Sequence, residues 1–320
     1  MSLLRHAQVL PAARSRALRE SLEQFLSVPH AGALRVVYAT HPRAWLGADV
    51  RHMAVLDASF NPPTRAHLAL ASLPLRVKGA VPYDAHMLIF SVRNADKGHG
   101  QQGDASAHER LEMLELFAHQ LEQDAAAHGH RANVVVALVD EPLVFRKAPL
   151  IRRFWESHAP RVPPPHLYWL MGADTITRVF QPKYYGGEEN LAAACETFFV
   201  SDACSIVCAD RSTESVQGVA CHLPCARADG GAQLSDELHR LLNSPGPAHI
   251  WYGRGSIELR TIPASDAPHS STAVRRLLQS QPPSDGLSGV LGTMVPATVV
   301  EYLLTHCPYA PGPASASDGE

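Results

Sequence analysis

The sequence has no run of eighteen or more apolar residues, so no segment reads as a membrane-crossing helix. It also lacks a charge of one sign. Its 28 lysines and arginines face 31 aspartates and glutamates, a formal net charge of −3. That balance gives no strong steering toward nucleic acid or anionic lipid, and neither is expected as a partner. A local basic site for a small anionic substrate stays open. No secretory signal is evident, so the six cysteines are expected as reduced thiols. The expected compartment is intracellular, cytoplasm and/or nucleus. Zinc-type cysteine spacing is missing too. Three residues separate Cys204 from Cys208, and three separate Cys221 from Cys225. Cys208 also falls inside the strand-like run "SIVCAD", so no protein-held metal is expected. No internal repeat or clear linker divides the chain, which points to one domain with insertions.

Of the 320 residues, 46% are hydrophobic and 18% charged, a globular composition. Seven short apolar, β-branched runs recur: "LRVVYA" (34–39), "MAVLDA" (53–58), "HMLIFSV" (86–92), "NVVVALV" (133–139), "HLYWLM" (166–171), "SIVCAD" (205–210) and "IELRTI" (257–262). Helical spacing of leucines lies between some of them, at 108–123 and 234–244. Strands alternating with helices predict an α/β fold with a mainly parallel sheet. Continuous apolar strands predict helices on both faces. The basic N-terminus fits a mitochondrial presequence. Against that, Arg14 to Leu26 sets Ala17, Leu18, Leu22, Phe25 and Leu26 at helical spacing and includes Glu20 and Glu23. This predicts an amphipathic helix packed on the core. The expected organisation is an N-terminal helix and strand on the core (1–50), a main domain (51–308) and a disordered tail (309–320). Segments 94–106 and 159–166, rich in glycine or proline, predict loops.

Two stretches carry chemistry. In "VLDASFNPPTRAHLALA" (55–71) a strand-like run ends, two prolines follow, and Thr64 and His67 open a helix expected over 64–75. Helix N-termini present free N–H groups and a positive dipole end, which suits phosphate. Thr64 and His67 stand one turn apart and can face the same side. The plainer reading is a threonine cap and a surface histidine. In "PHSSTAVRRLLQSQ" (268–281) Ser270, Ser271 and Thr272 precede a second helix, with Arg275 and Arg276 in its first turn. Hydroxyls, free N–H groups and a guanidinium suit a polyphosphate. The plainer reading is a serine cap with solvated arginines.

Together, "SFNPPTRAH" and "SSTAVRR" resemble the paired signature of the nucleotidylyltransferase superfamily. More narrowly, they resemble nicotinamide mononucleotide (NMN) adenylyltransferases of a divergent fungal branch. "RNADK" (93–97), "RLEMLELFA" (110–118), "GADTITRVFQPKYY" (172–185) and "VPATVVEYLLTH" (295–306) extend the resemblance over roughly Met53 to His306. It implies a Rossmann-like, doubly wound sheet. It implies transfer of the adenylyl group of ATP to NMN, giving NAD and pyrophosphate. ATP and NMN are the implied partners, with Mg2+ carried largely by ATP and water. By the same resemblance, the backbone at Ser59 and Phe60 lines the substrate cleft. Thr64 and His67 form the phosphate pair, with His67 on the α-phosphate. Lys97 meets substrate phosphate, Gly172 and Asp174 meet the nucleotide ribose and adenine, and Ser271, Thr272 and Arg275 clamp the triphosphate. Thr64, His67 and Arg275 are the implied catalytic residues. Trp155, Trp169, Tyr184 and Tyr185 are candidate stacking platforms, with core packing the expected role of Trp169.

Departures from the family pattern define the alternatives. Ala58 stands where glycine is usual, and a Cβ there crowds a ligand lying on the backbone. Ala66 replaces a second glycine, Thr64 a histidine and His269 an isoleucine. Threonine at position 64 matches the eukaryotic NMN branch. The competing readings are a related nucleotidyltransferase or ATP hydrolase with altered substrate, and a non-catalytic ATP-binding interaction module.

Overall fold

The computed structural model describes residues 10–27, 33–42, 44–76, 79–93, 103–210, 235–263, 265–280 and 285–309. Lys97, Cys221 and Cys225 lie outside them, as do residues 310–320 of the expected tail.

All seven apolar runs form strands, and they build a single sheet. In chain order the elements are α1 (Ala12–Ser27), β1 (Leu34–Ala39), β2 (His52–Asp57), α2 (Arg65–Ala71), β3 (Leu75–Arg76), β4 (Ala80–Val81), β5 (Ala85–Ser91), α3 (Ala107–Ala127) and β6 (Val134–Val139). There follow α4 (Val144–His158), β7 (His166–Gly172), α5 (Ala173–Val179), α6 (Glu188–Glu196), β8 (Cys204–Asp210), α7 (Asp236–Asn243), α8 (Pro247–Gly253), β9 (Ile257–Thr261), α9 (Ser271–Ser280), α10 (Asp285–Met294) and α11 (Ala297–His306). A short 3-10 turn, Pro182–Tyr184, precedes α6, and a wider π turn, Thr197–Ser201, continues it.

The sheet order is β1-β6-β5-β2-β7-β8-β9. All neighbours are parallel except β1 on β6. The chain therefore winds outward from β2 through β5 to β6, returns to β7, and winds out the other way. This is the doubly wound order, with its switch point between β2 and β7. Alternate side chains of β2 enter two cores. Met53 and Val55 face the layer of α4 to α8, and Ala54 and Leu56 face the layer of α2, α3 and α9 to α11. β6, "VVVALV", is buried at every position, as an inner strand covered on both faces requires. β1 is half-buried throughout and sits at the edge.

α1 buries Leu18, Leu22 and Phe25. It is fastened to α3 by Arg14, whose Nε and Nη2 donate to both oxygens of the buried Glu115 at 2.6–2.9 Å. Three boundaries differ from expectation. α2 stops at Ala71 rather than Leu75. Pro74 disfavours helical backbone at Leu73, and Leu75–Arg76 instead pair with Ala80–Val81. The serine-rich start also divides: Ser270 Oγ accepts from the Ala273 N–H at 3.2 Å, while Ser271 and Thr272 lie inside α9. Finally, Tyr309 is not tail. It is buried, and its hydroxyl donates to Asn61 Oδ1 at 2.9 Å.

Candidate active site

A cleft of about 310 Å3 opens at the carboxyl ends of β2 and β7, at the switch point. The turn after β2 forms its rim. Phe60 adopts φ 45°, the Asn61–Pro62 bond is cis, and Thr64 caps α2. Ala58 lines the cleft, and its backbone is outside the left-handed region, so an alanine fits there without strain.

Thr64 and His67 act on each other first. The backbone N–H of Thr64 donates to His67 Nδ1 at 3.0 Å, and Thr64 Oγ1 lies 2.8 Å from the same nitrogen. The His67 N–H reaches Thr64 Oγ1 at 3.4 Å, which completes a capping box with imidazole in the usual place of a carboxylate. Because Nδ1 accepts from a group that can only donate, the proton of the neutral ring sits on Nε2. Phe60 packs beside the ring at 5.4 Å between centroids. His67 thus lines the cleft as an oriented donor.

The second motif meets the first. Ser271 Oγ donates to Pro62 O at 2.8 Å, and Arg275 Nη1 donates to Asn61 O at 2.6 Å. Arg65 pairs with Asp266 at 2.8 Å. Asn61 is buried, and its side-chain oxygen accepts from the Ala105 N–H as well as from Tyr309. The two motifs therefore form one unit at the mouth of the sheet.

Of the expected residues, Ser59, His67, Gly172, Asp174 and Ser271 line the cleft. Thr64 is wholly buried behind His67. Phe60 is wholly buried too, so it supplies packing rather than wall. Thr272 is exposed, and Arg275 lies off the wall with its Nε 3.8 Å from Asp104. Trp155 and Trp169 are core residues. Tyr184 and Tyr185 do line the cleft. Cys204 and Cys208 face the apolar core, where burial pushes both thiols up, Cys204 to about 12.

Further charged residues complete the wall. Arg110 donates to Ser59 O at 2.9 Å and lies over the Phe90 ring, and burial lowers its pKa from the ordinary guanidinium value. Arg93 pairs with Asp140, and Arg178 Nε donates to Asp174 O at 3.1 Å. At the floor, Lys147 pairs with Asp57. Arg93, Arg110 and Arg178 sit inside segments that carried the family resemblance, yet no local pattern distinguishes them from surface arginines. Asp57 had no signal beyond a strand end, and Lys147 had none.

A model of the cytidylyltransferase-like family matches residues 55–277. A Schizosaccharomyces pombe protein described as a "Putative nicotinamide mononucleotide adenylyltransferase" is 31% identical over 162 residues. That match spans 50% of this chain and 53% of the relative, about half of each. Two solved structures of Plasmodium falciparum nicotinic acid mononucleotide adenylyltransferase also align, one complexed with NaAD and one with APC. Both are 13% identical, cover 81% of this chain and 97% of theirs, and give TM-scores of 0.47 and 0.46.

Proposed function

The chain belongs to the cytidylyltransferase-like family, and on that premise we propose that it transfers the adenylyl group of ATP to nicotinamide mononucleotide. The products are NAD and pyrophosphate. One observation carries the reading: His67, its donor nitrogen fixed by Thr64, shares a cleft with the Ser271 helix start, which is bonded to the same turn.

In this reading a 5′-phosphate oxygen of the mononucleotide attacks the α-phosphorus of ATP. A new P–O bond forms, the bond from the α-phosphorus to the bridging oxygen breaks, and pyrophosphate leaves with the electron pair. No protein nucleophile takes part. The protein aligns two anions and offsets the charge that grows on the α-phosphate. His67 Nε2–H donates there, Ser271 and the N-terminus of α9 face the leaving phosphates, and Asp174 meets the adenosine ribose. Lys97 and Arg275 add positive charge around the phosphates. Asp57 is committed to Lys147, so magnesium enters as the MgATP substrate, held by phosphates and water.

One observation favours a second reading, in which ATP is bound or hydrolysed without transfer. Arg275 is committed to Asn61 O and stands near Asp104, off the cleft wall. Incubation with ATP, magnesium and NMN separates the two. NAD with pyrophosphate supports transfer, phosphate without NAD supports hydrolysis, and binding without turnover supports a module.

A further inference from the structure

The cleft has two sides about β2. One, over β7 and α5, carries Gly172 and Asp174. The other, over β5 and the first turns of α4, carries Ser91, Arg93 and Lys147. Joining two nucleotides needs one on each side of the reacting phosphates. With adenosine assigned to the Gly172–Asp174 side, the acceptor mononucleotide falls to the β5–α4 side. This step rests on the adenylyl-transfer reading.

The acceptor side is electrically balanced. Lys147 is buried in the wall, and its ammonium pairs with Asp57 Oδ2. Ser91 Oγ donates to Asp57 Oδ1 at 3.3 Å. Arg93 is matched by Asp140, whose side chain and backbone carbonyl both accept from it. A buried ion pair adds little stability over apolar side chains of the same volume. Its place at the floor of a cleft bears on what the cleft accepts.

We infer that Asp57, held by Lys147, makes this side select a mononucleotide whose ring bears an uncharged carboxamide over one bearing a carboxylate. A carboxamide offers a donor and an acceptor, the complement of a carboxylate beside an ammonium. A carboxylate offers acceptors only. It also brings a negative charge toward Asp57 where water screens poorly.

The test compares kcat/KM for nicotinamide and nicotinic acid mononucleotides in the wild type and in Asp57→Asn. That substitution keeps the shape, removes the charge and leaves Lys147 as an anion receptor. The wild type is expected to favour the amide by about tenfold, the scale of one hydrogen bond to a carboxylate that the acid cannot donate. Asp57→Asn is expected to cut that preference by about tenfold, through a gain for the acid. The double variant Asp57→Asn/Lys147→Gln, which leaves no unpaired charge, is expected to fold and to bring the two substrates level. Equal use of both by the wild type, or an equal change for both in Asp57→Asn, overturns the inference. If neither mononucleotide is adenylylated, the transfer reading fails on its own. Equilibrium binding of the same two mononucleotides then reads the pair. Tighter amide binding that Asp57→Asn abolishes supports it, and equal or absent binding of both overturns it.

Discussion

The hydroxyl of Ser271 donates to the carbonyl of Pro62 at 2.8 Å, although the two stand 209 positions apart in the chain. Arg275 repeats the link one turn later, onto Asn61. The helix start and the turn after β2 are thereby held as one surface. Arg275→Ala removes a charge-assisted bond to this turn and, on the proposed reading, positive charge from the surroundings of the phosphates. The concentration of ATP needed for half-saturation is expected to rise about tenfold, the scale of one such bond. Steady-state kinetics at saturating mononucleotide check it. An unchanged ATP dependence counts against any part for Arg275 in the clamp.

His67 makes its capping contacts through Nδ1 and its backbone N–H, and its ring lines the cleft. His67→Ala is expected to lower kcat by about a hundredfold, the usual cost of one donor to a developing oxyanion. Its effect on stability is the loss of one arm of a cap, about 1 kcal/mol. Turnover and urea unfolding, measured on the same preparation, separate the two effects. Unchanged turnover removes the assigned role.

The buried pair at the cleft floor makes a stability prediction. Lys147→Met leaves Asp57 beside an apolar side chain. Breaking one partner of such a pair costs about 3–5 kcal/mol, whereas replacing both is far milder. In urea unfolding, Asp57→Asn/Lys147→Met is therefore expected to be more stable than Lys147→Met alone. If the two unfold alike, the pair is not coupled as the geometry implies.

Two histidines set an acid limit. His86 Nε2 donates to Ala71 O at 3.0 Å, and its Nδ1 is sealed from solvent with no partner. Burial pulls its pKa down to about 4. Burial, the Arg152 charge and His52 do the same to His166, also to about 4. Both rings are neutral in the folded state at pH values where an unfolded histidine, near 6.5, already binds a proton. The unfolded state then holds more protons, so stability is full above pH 6.5 and falls as pH drops toward 4. Thermal unfolding at pH 7, 6 and 5 reads the slope. His86→Gln, which keeps a donor for Ala71, is expected to flatten it, and an identical slope rules His86 out as a source.

The strands were the most legible part of the chain. Runs such as "NVVVALV" owe their pattern to burial on both faces, and burial is a composition signal. α2 was overrun because its apolar spacing continues to Leu75, while Pro74 and the β3–β4 pairing end it. In the site, His67 and Ser271 were legible because each stands at a helix start with a recognisable neighbourhood. Phe60 was expected to contribute backbone to the cleft; its backbone is left-handed and its side chain lies in the core. Lys147 and Asp57 were not legible. They stand 90 positions apart, and the β2–β5–β6–α4 path brings them together. At Ala58 the backbone does not need glycine's freedom, so its effect on the site is the space its Cβ takes from the cleft.

On the proposed reading the protein transfers AMP from ATP to a mononucleotide. ATP labelled in its α-phosphate, supplied with magnesium and nicotinamide mononucleotide, tests it most directly. The label is expected to enter NAD, with one pyrophosphate released for each dinucleotide formed. Label recovered only in ADP or AMP, with no labelled dinucleotide, would contradict it.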